Sequence, residues 1–182
     1  MQKIIFQTML IMSLISCSDK TNKTEIEKEN QKPNFDKSNI VERFFPENIK
    51  TEIRDSIIED GNLKISVTKK SLKTFVVNEF SEENIKYIDK YRDNEIRLKI
   101  TQESNVIIDT VFKKEDFKKY IDKPFMKIAN FYDYWFEKTE NGKFIFFGTI
   151  SKPETDIAFD FNHHYDIKTK RFEVIEMKSE DE

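Results

Sequence analysis

The sequence predicts a mainly β domain, an antiparallel meander of strands forming a β-sandwich or a closed barrel, with one or two short helices. Three observations carry this. Apolar and polar residues alternate with period two over successive short runs, as a half-buried strand requires. Turn-forming residues punctuate those runs at regular intervals. Aromatic residues make up 13% of the 182-residue chain, 17 of them Phe, far more than a disordered chain carries, so the 36% of charged residues must cover a real core.

Met1 to Ser16 reads MQKIIFQTMLIMSLIS, with Lys3 ahead of an apolar stretch from Ile4 to Ile15 that ends in a small residue. This is a signal-peptide layout, and a stretch of about a dozen residues is too short to span a bilayer as a helix. It closes on Leu14-Ile15-Ser16-Cys17, which resembles the lipobox of bacterial lipoproteins: an apolar residue, any residue, a small residue and Cys. The resemblance covers residues 1–17. It implies that the Cys17 thiol is alkylated by diacylglycerol, that the signal is cut just before it, and that the new amino group is acylated, palmitate being the usual label. Two or three acyl chains suffice for stable anchoring without a transmembrane helix. Ser18 at the second mature position resembles an outer-membrane address of a Gram-negative envelope, with the leaflet open. Cys17 is the one Cys in the chain, which leaves the mature domain no thiol for disulfide, metal or catalytic use.

The expected organisation is therefore a signal peptide over 1–16, the lipidated Cys and a flexible tether over 17–40, an antiparallel β domain over 41–177 and an acidic tail over 178–182. Within 18–40 the large apolar residues are Ile26, Phe35 and Ile40, too few to order the segment. As a coil it would reach roughly 25 Å, and about 65 Å when extended.

Residues 51–58 and 62–69 flank Glu59-Asp60-Gly61, and Leu63, Ile65 and Val67 alternate, which predicts a hairpin. Ser81 followed by Glu82 and Glu83, with Ile85, Ile88 and Tyr91 on one face, predicts a short capped helix ending near Arg92. Runs 95–101 and 106–112 predict a second hairpin around Gln102-Glu103-Ser104-Asn105. A second short helix is expected over 114–121, with Phe117, Tyr120 and Ile121 on one face and Pro124 stopping it. Strands are then expected over 126–138, 143–151, 156–167 and 171–177.

Of 24 aromatic residues, 15 lie between Phe117 and Phe172, placing the thick part of the core in this C-terminal meander. In Phe131-Tyr132-Asp133-Tyr134-Trp135-Phe136 and Phe144-Ile145-Phe146-Phe147 both strand faces carry apolar groups, so both are covered. One reading is an apolar cavity inside a lipocalin-like barrel, with Tyr132, Tyr134, Trp135 and Phe146 as candidate ligand-binding aromatics. The others are a filled sandwich core and an exposed ring patch for a partner or glycan.

The one local polar constellation runs from Asp156 to Asp166. At period two, Asp160, His164 and Asp166 share one face of a strand, while Phe159, Phe161, His163 and Tyr165 share the other, with His163 expected at the edge of the core. Asp160, His164 and Asp166 are weak polar-site candidates, because neighbours on one strand face stand about 6–7 Å apart and do not chelate unaided. No GxSxG, HExxH or Cys–His pair is present, so no catalytic or metal residue is assigned and no cofactor is expected. A formal charge of −3 with interspersed signs gives no basic stripe for nucleic acid. The three glycines form no phosphate loop. The functional expectation is a membrane-anchored envelope lipoprotein acting as a non-catalytic binding or interaction module for an envelope protein or a small apolar ligand. A lipocalin-like carrier of a hydrophobic ligand and a lipoprotein hydrolase are the alternatives.

Overall fold

The structure is a computed structural model and describes residues 39–58 and 62–177. The signal segment, Cys17, almost all of the tether, the Glu59-Asp60-Gly61 turn and the acidic tail lie outside the described residues.

Nine strands form two sheets among the described residues. Sheet A contains β1 (Ile40–Phe45), β2 (Thr51–Ile58), β3 (Leu63–Glu82), β4 (Ile85–Gln102) and β5 (Asn105–Phe112), in the order β1-β4-β3-β2, with β5 also paired to β4. β1 runs along the first half of β4 and β5 along the second. Sheet B is the meander β6 (Asn130–Glu140), β7 (Lys143–Ser151), β8 (Ala158–Asp166) and β9 (Arg171–Glu176). The mainly β, antiparallel architecture is as expected. β1 departs from it by pairing parallel to β4.

The β2–β3 and β4–β5 hairpins form in the expected places. The helix expected near 81–92 does not. Those residues turn from β3 into β4, with Glu83 and Asn84 at φ 48° and 65° as the two central residues of the turn. Positive φ at both centres suits the twist of a two-residue hairpin. The inward residues are Asp89, Tyr91 and Asp93, and two carboxylates on the buried face mask the strand period. The second expected helix shrinks to a 3-10 turn, Lys114–Phe117, that buries Phe117. Pro124 opens a helix, α1 (Lys123–Ile128), where Asp122 accepts a 2.8 Å hydrogen bond from the Phe125 N–H. Proline fits the first helical turn, whose N–H groups have no intrahelical partner. The strand expected from 126 consequently starts at Asn130.

Burial along β8 alternates throughout, with Phe159, Phe161, His163 and Tyr165 inward and Asp160, Asn162, His164 and Asp166 outward. These rings meet Ile65 and Val67 of β3, Ile96, Leu98 and Ile100 of β4, and Phe117 in one continuous core between the sheets. Side chains fill it. Tyr134 stacks on Phe146 with ring centroids 5.4 Å apart, and Phe117 lies 4.5 Å from Phe161. Gly148 exists for this packing, because a Cβ there would overlap the Phe161 ring.

A second layer of contact crosses the core's rim. Asp93 pairs with Lys114 at 2.9 Å and accepts from the Phe131 N–H at 2.8 Å, while Lys114 donates to the Ala129 carbonyl at 2.7 Å. Sheet A, the 3-10 turn and the start of sheet B are thereby joined by one buried ionic network.

Candidate functional site

β3 and β4 pair out of step between Ser71 and Phe75, so three residues, Leu72 to Thr74, lie opposite Asp93. Such a bulge bends and twists a sheet. β6 bulges in turn, since Phe131 pairs with Ile150 and Asp133 with Thr149. Tyr132 is left unpaired and points outward, 58% exposed.

Between these irregularities lies a cleft of about 850 Å³. Glu52, Lys69, Ser71, Tyr91 and Asn94 line it from sheet A, with Phe45, Pro46, Lys50 and Arg92 around them. Asn130, Tyr132, Phe147, Thr149, Ser151 and Asp160 line it from sheet B, and the β7–β8 loop from Lys152 to Asp156 closes one side. That loop is held by the Lys152 N–H donating to the Ile157 carbonyl at 2.9 Å and by the Thr155 hydroxyl donating to the Lys152 carbonyl at 3.0 Å.

The charges in the cleft are largely tied to one another. Lys50 and Lys69 share Glu52 at 2.7 and 3.3 Å, and the hydrogen bond from Lys50, with the charge of Lys69, holds the Glu52 carboxyl below its ordinary range. Lys69 also donates to the Tyr132 carbonyl at 3.3 Å, with its ammonium 5.8 Å from the Tyr132 ring centre. Arg92 donates to the carbonyls of Pro46, Glu47 and Leu72, fastening the β1–β2 linker to the bulge. The Tyr91 hydroxyl is pushed up to about 12, mainly by burial and then by the Glu154 carboxylate it bonds. Asn130 is 7% exposed and donates its Nδ2 to the Arg92 carbonyl at 3.1 Å, yet its Oδ1 has no partner.

The structure distributes the sequence-derived candidates over separate places. Tyr132 and Asp160 reach the cleft. Tyr134 and Phe146 are buried between the sheets, whereas Trp135, on the face of sheet B away from the core, stacks at 4.4 Å on Phe147, which lines the cleft. The four aromatics therefore share no single cavity. Asp160, His164 and Asp166 do share a face, but Asp160 and Asp166 stand six residues apart, about 20 Å along a strand. The Asp166 carboxylate accepts from the Lys168 and Thr169 N–H groups at 2.9 and 2.8 Å and holds the β8–β9 turn, and the Thr169 N–H chiefly lowers its pKa. His164 is lowered mainly by desolvation and then by Lys143, and its Nδ1 has no partner. His163 is not at the core's edge but inside it, 4% exposed, with Nδ1 3.0 Å from the Tyr134 hydroxyl and Phe112 and Phe172 within 4.9 Å.

Lys69, Tyr91, Arg92, Asn130 and Glu154 belong to the cleft and were not singled out by the sequence. Lys69 and Tyr132 are 63 positions apart, and no local spacing marks such a meeting. Among the described residues no three His, Cys, Asp or Glu side chains group so as to hold a metal ion, and no helix is long and apolar enough to cross a membrane.

Fold and cleft together define a two-sheet β domain with a lateral cleft of mixed polarity. The chain belongs to the family of the domain of unknown function DUF4738, which matches residues 31–170 and so takes in the cleft in full. No curated protein matches the chain.

Proposed function

We propose that this chain is a lipid-anchored envelope lipoprotein whose β domain is a non-catalytic binding module, with the cleft as its binding site. The observation that carries the binding role is the cleft itself. Its volume of about 850 Å³ falls in the roughly 300–1,000 Å³ range of small-molecule sites, and it combines ring faces with fixed polar groups. The carrier alternative placed its ligand among the aromatics of the meander. Tyr134 and Phe146 are packed against neighbouring rings, so a carried ligand would have to use the cleft instead. The anchor and the outer-membrane address rest on the lipobox-like Leu14-Ile15-Ser16-Cys17 and on Ser18.

The test is to solubilise the native envelope in mild detergent, capture the protein by a C-terminal tag and identify by mass spectrometry everything that accompanies it. A stoichiometric small molecule lost from a Tyr132→Ala variant supports the cleft. A stoichiometric protein that survives Tyr132→Ala makes the domain an interaction module with its contact elsewhere. The anchor is tested by palmitate labelling, expected in the native chain and absent from Cys17→Ala; labelling that persists in the variant refutes it.

A further inference from the structure

Resting on that reading of the cleft, we infer that its ligand is a neutral oligosaccharide. The argument starts from charge. Lys50, Lys69, Arg92 and Lys152 face Glu52, Glu154, Asp156 and Asp160, four cations against four carboxylates. Both lysines of the inner wall are tied to Glu52, and Arg92 has committed N–H groups to three carbonyls. A phosphate or a free carboxylate would find no surplus of positive charge, and burying one without compensation is expensive. An acyl chain fails for the opposite reason, since Glu52, Lys69, Lys152 and Asp160 line the walls and would lose their access to water.

What remains is hydrogen-bonding capacity of both senses beside partly exposed rings. Asp160, which makes no ion pair among the described residues, accepts only. The remaining N–H groups of Arg92 and the Lys152 ammonium donate only. A hydroxyl serves both kinds of group, whereas an acyl chain or an anion serves at most one. The rings of Tyr132 and Phe45, 58% and 40% exposed, stand at the cleft, each with one side taken, Phe45 by the stacked Tyr91 ring and Tyr132 by the Lys69 ammonium, which leaves the other side to a ligand. A ring face carries negative quadrupolar charge and attracts the weakly positive C–H groups of a sugar face. Hydroxyls around the rim of a flat C–H surface are the chemistry of a pyranose, and the volume admits several linked units.

The experiment is saturation-transfer NMR on the full chain in mild detergent with maltotetraose, cellotetraose, mannotetraose and chitotetraose, each at millimolar concentration. Inorganic phosphate, decanoate and trialanine serve as comparison probes. Transfer to the C–H protons of at least one tetrasaccharide is expected, with binding weakened about tenfold by Tyr132→Ala and by Asp160→Asn and unchanged by Phe80→Ala, which lies outside the cleft. Urea midpoints equal to the parent's would show that these half-exposed substitutions leave the fold intact. The inference is overturned if no tetrasaccharide receives transfer, or if transfer is indifferent to both cleft substitutions. Decanoate, phosphate or trialanine binding that Tyr132→Ala weakens would overturn the saccharide while leaving the cleft as the binding site. Silence from every probe, with no small molecule in the native capture, would remove both.

Discussion

Lowering the pH should destabilise this domain through a single buried imidazole. His163 sits among Phe112, Phe117, Phe161 and Phe172, and burial, aided by the nearby His164, depresses its pKa from 6.5 to about 3. The folded chain therefore leaves His163 neutral between these values, while the unfolded chain protonates it below 6.5. Where the unfolded state binds more protons, stability falls as pH falls, by about 1.4 kcal/mol per unit. From neutrality to pH 5 the loss is about 2 kcal/mol for the 1.5 units below 6.5. The carboxylates held low by their partners, Glu52, Asp55, Asp109 and Asp166, lose their contributions only below their ordinary values of 4.5 and 3.8, outside this window. Urea unfolding followed by Trp135 fluorescence at several pH values measures the slope. The His163→Phe variant should abolish most of it, at an offset of about 1–3 kcal/mol because the Tyr134 hydroxyl loses its 3.0 Å partner. Adding Tyr134→Phe should recover part of that offset. His164→Gln should keep most of the slope, because that ring is only half-buried. A parent whose stability is flat between neutrality and pH 5, or a His163→Phe variant that keeps the parent slope, refutes the reasoning.

Two further substitutions probe the packing. Gly148→Ala drives a methyl into the Phe161 ring, with Cε2 at 2.7 Å, and should cost about 1–3 kcal/mol, read as a lowered thermal midpoint; an unchanged midpoint would mean that β7 and β8 do not pack as described. Lys114→Met leaves Asp93 charged and buried, 8% exposed, and should cost about 3–5 kcal/mol by urea unfolding, with Asp93→Asn in the same chain returning much of it. Equal cost in the single and double variants would remove the ionic network as the reason.

The sheets were legible wherever burial is one-sided and turns carry their usual residues. β8 alternates in sequence as it does in space, and β4–β5 and β2–β3 are bounded by polar or Asp-Gly turns. Misreading set in where polar residues occupy inward positions. Asp89 is buried because Arg43 pairs with it through two hydrogen bonds of 2.6 and 2.7 Å, and Asp93 because Lys114 does. With those two positions discounted as polar, Ile85, Ile88 and Tyr91 leave a three-residue spacing that imitates a helix. The turn that would have corrected this is made by Glu83 and Asn84 rather than by glycine. In β6 and β7 the doubled aromatic pattern predicts that both faces are covered, whereas the outward face is only half-buried at Trp135 and Phe147 and exposed at Tyr132. The two faces differ, since Tyr134 and Phe146 fill the core while Trp135 and Phe147 stack on the far side.

Other buried polar residues mark where the cleft stands. Among the described residues, the buried polar side chains beyond His163 are Ser71, Asp89, Asp93, Asn94, Asn130 and Thr149. Ser71, Asn94, Asn130 and Thr149 line the cleft, and Asp93 accepts from the Asn94 and Phe131 N–H groups just behind it. A sandwich selected for stability alone would do as well or better with apolar side chains of similar volume at these positions, since each buried polar group must recover its desolvation cost through a partner. Asn130 does not recover it in full, because Oδ1 is left without one. Departures from the apolar pattern thus gather at the cleft, next to the β3 and β6 bulges, and this concentration is expected of a surface that has to meet something other than itself.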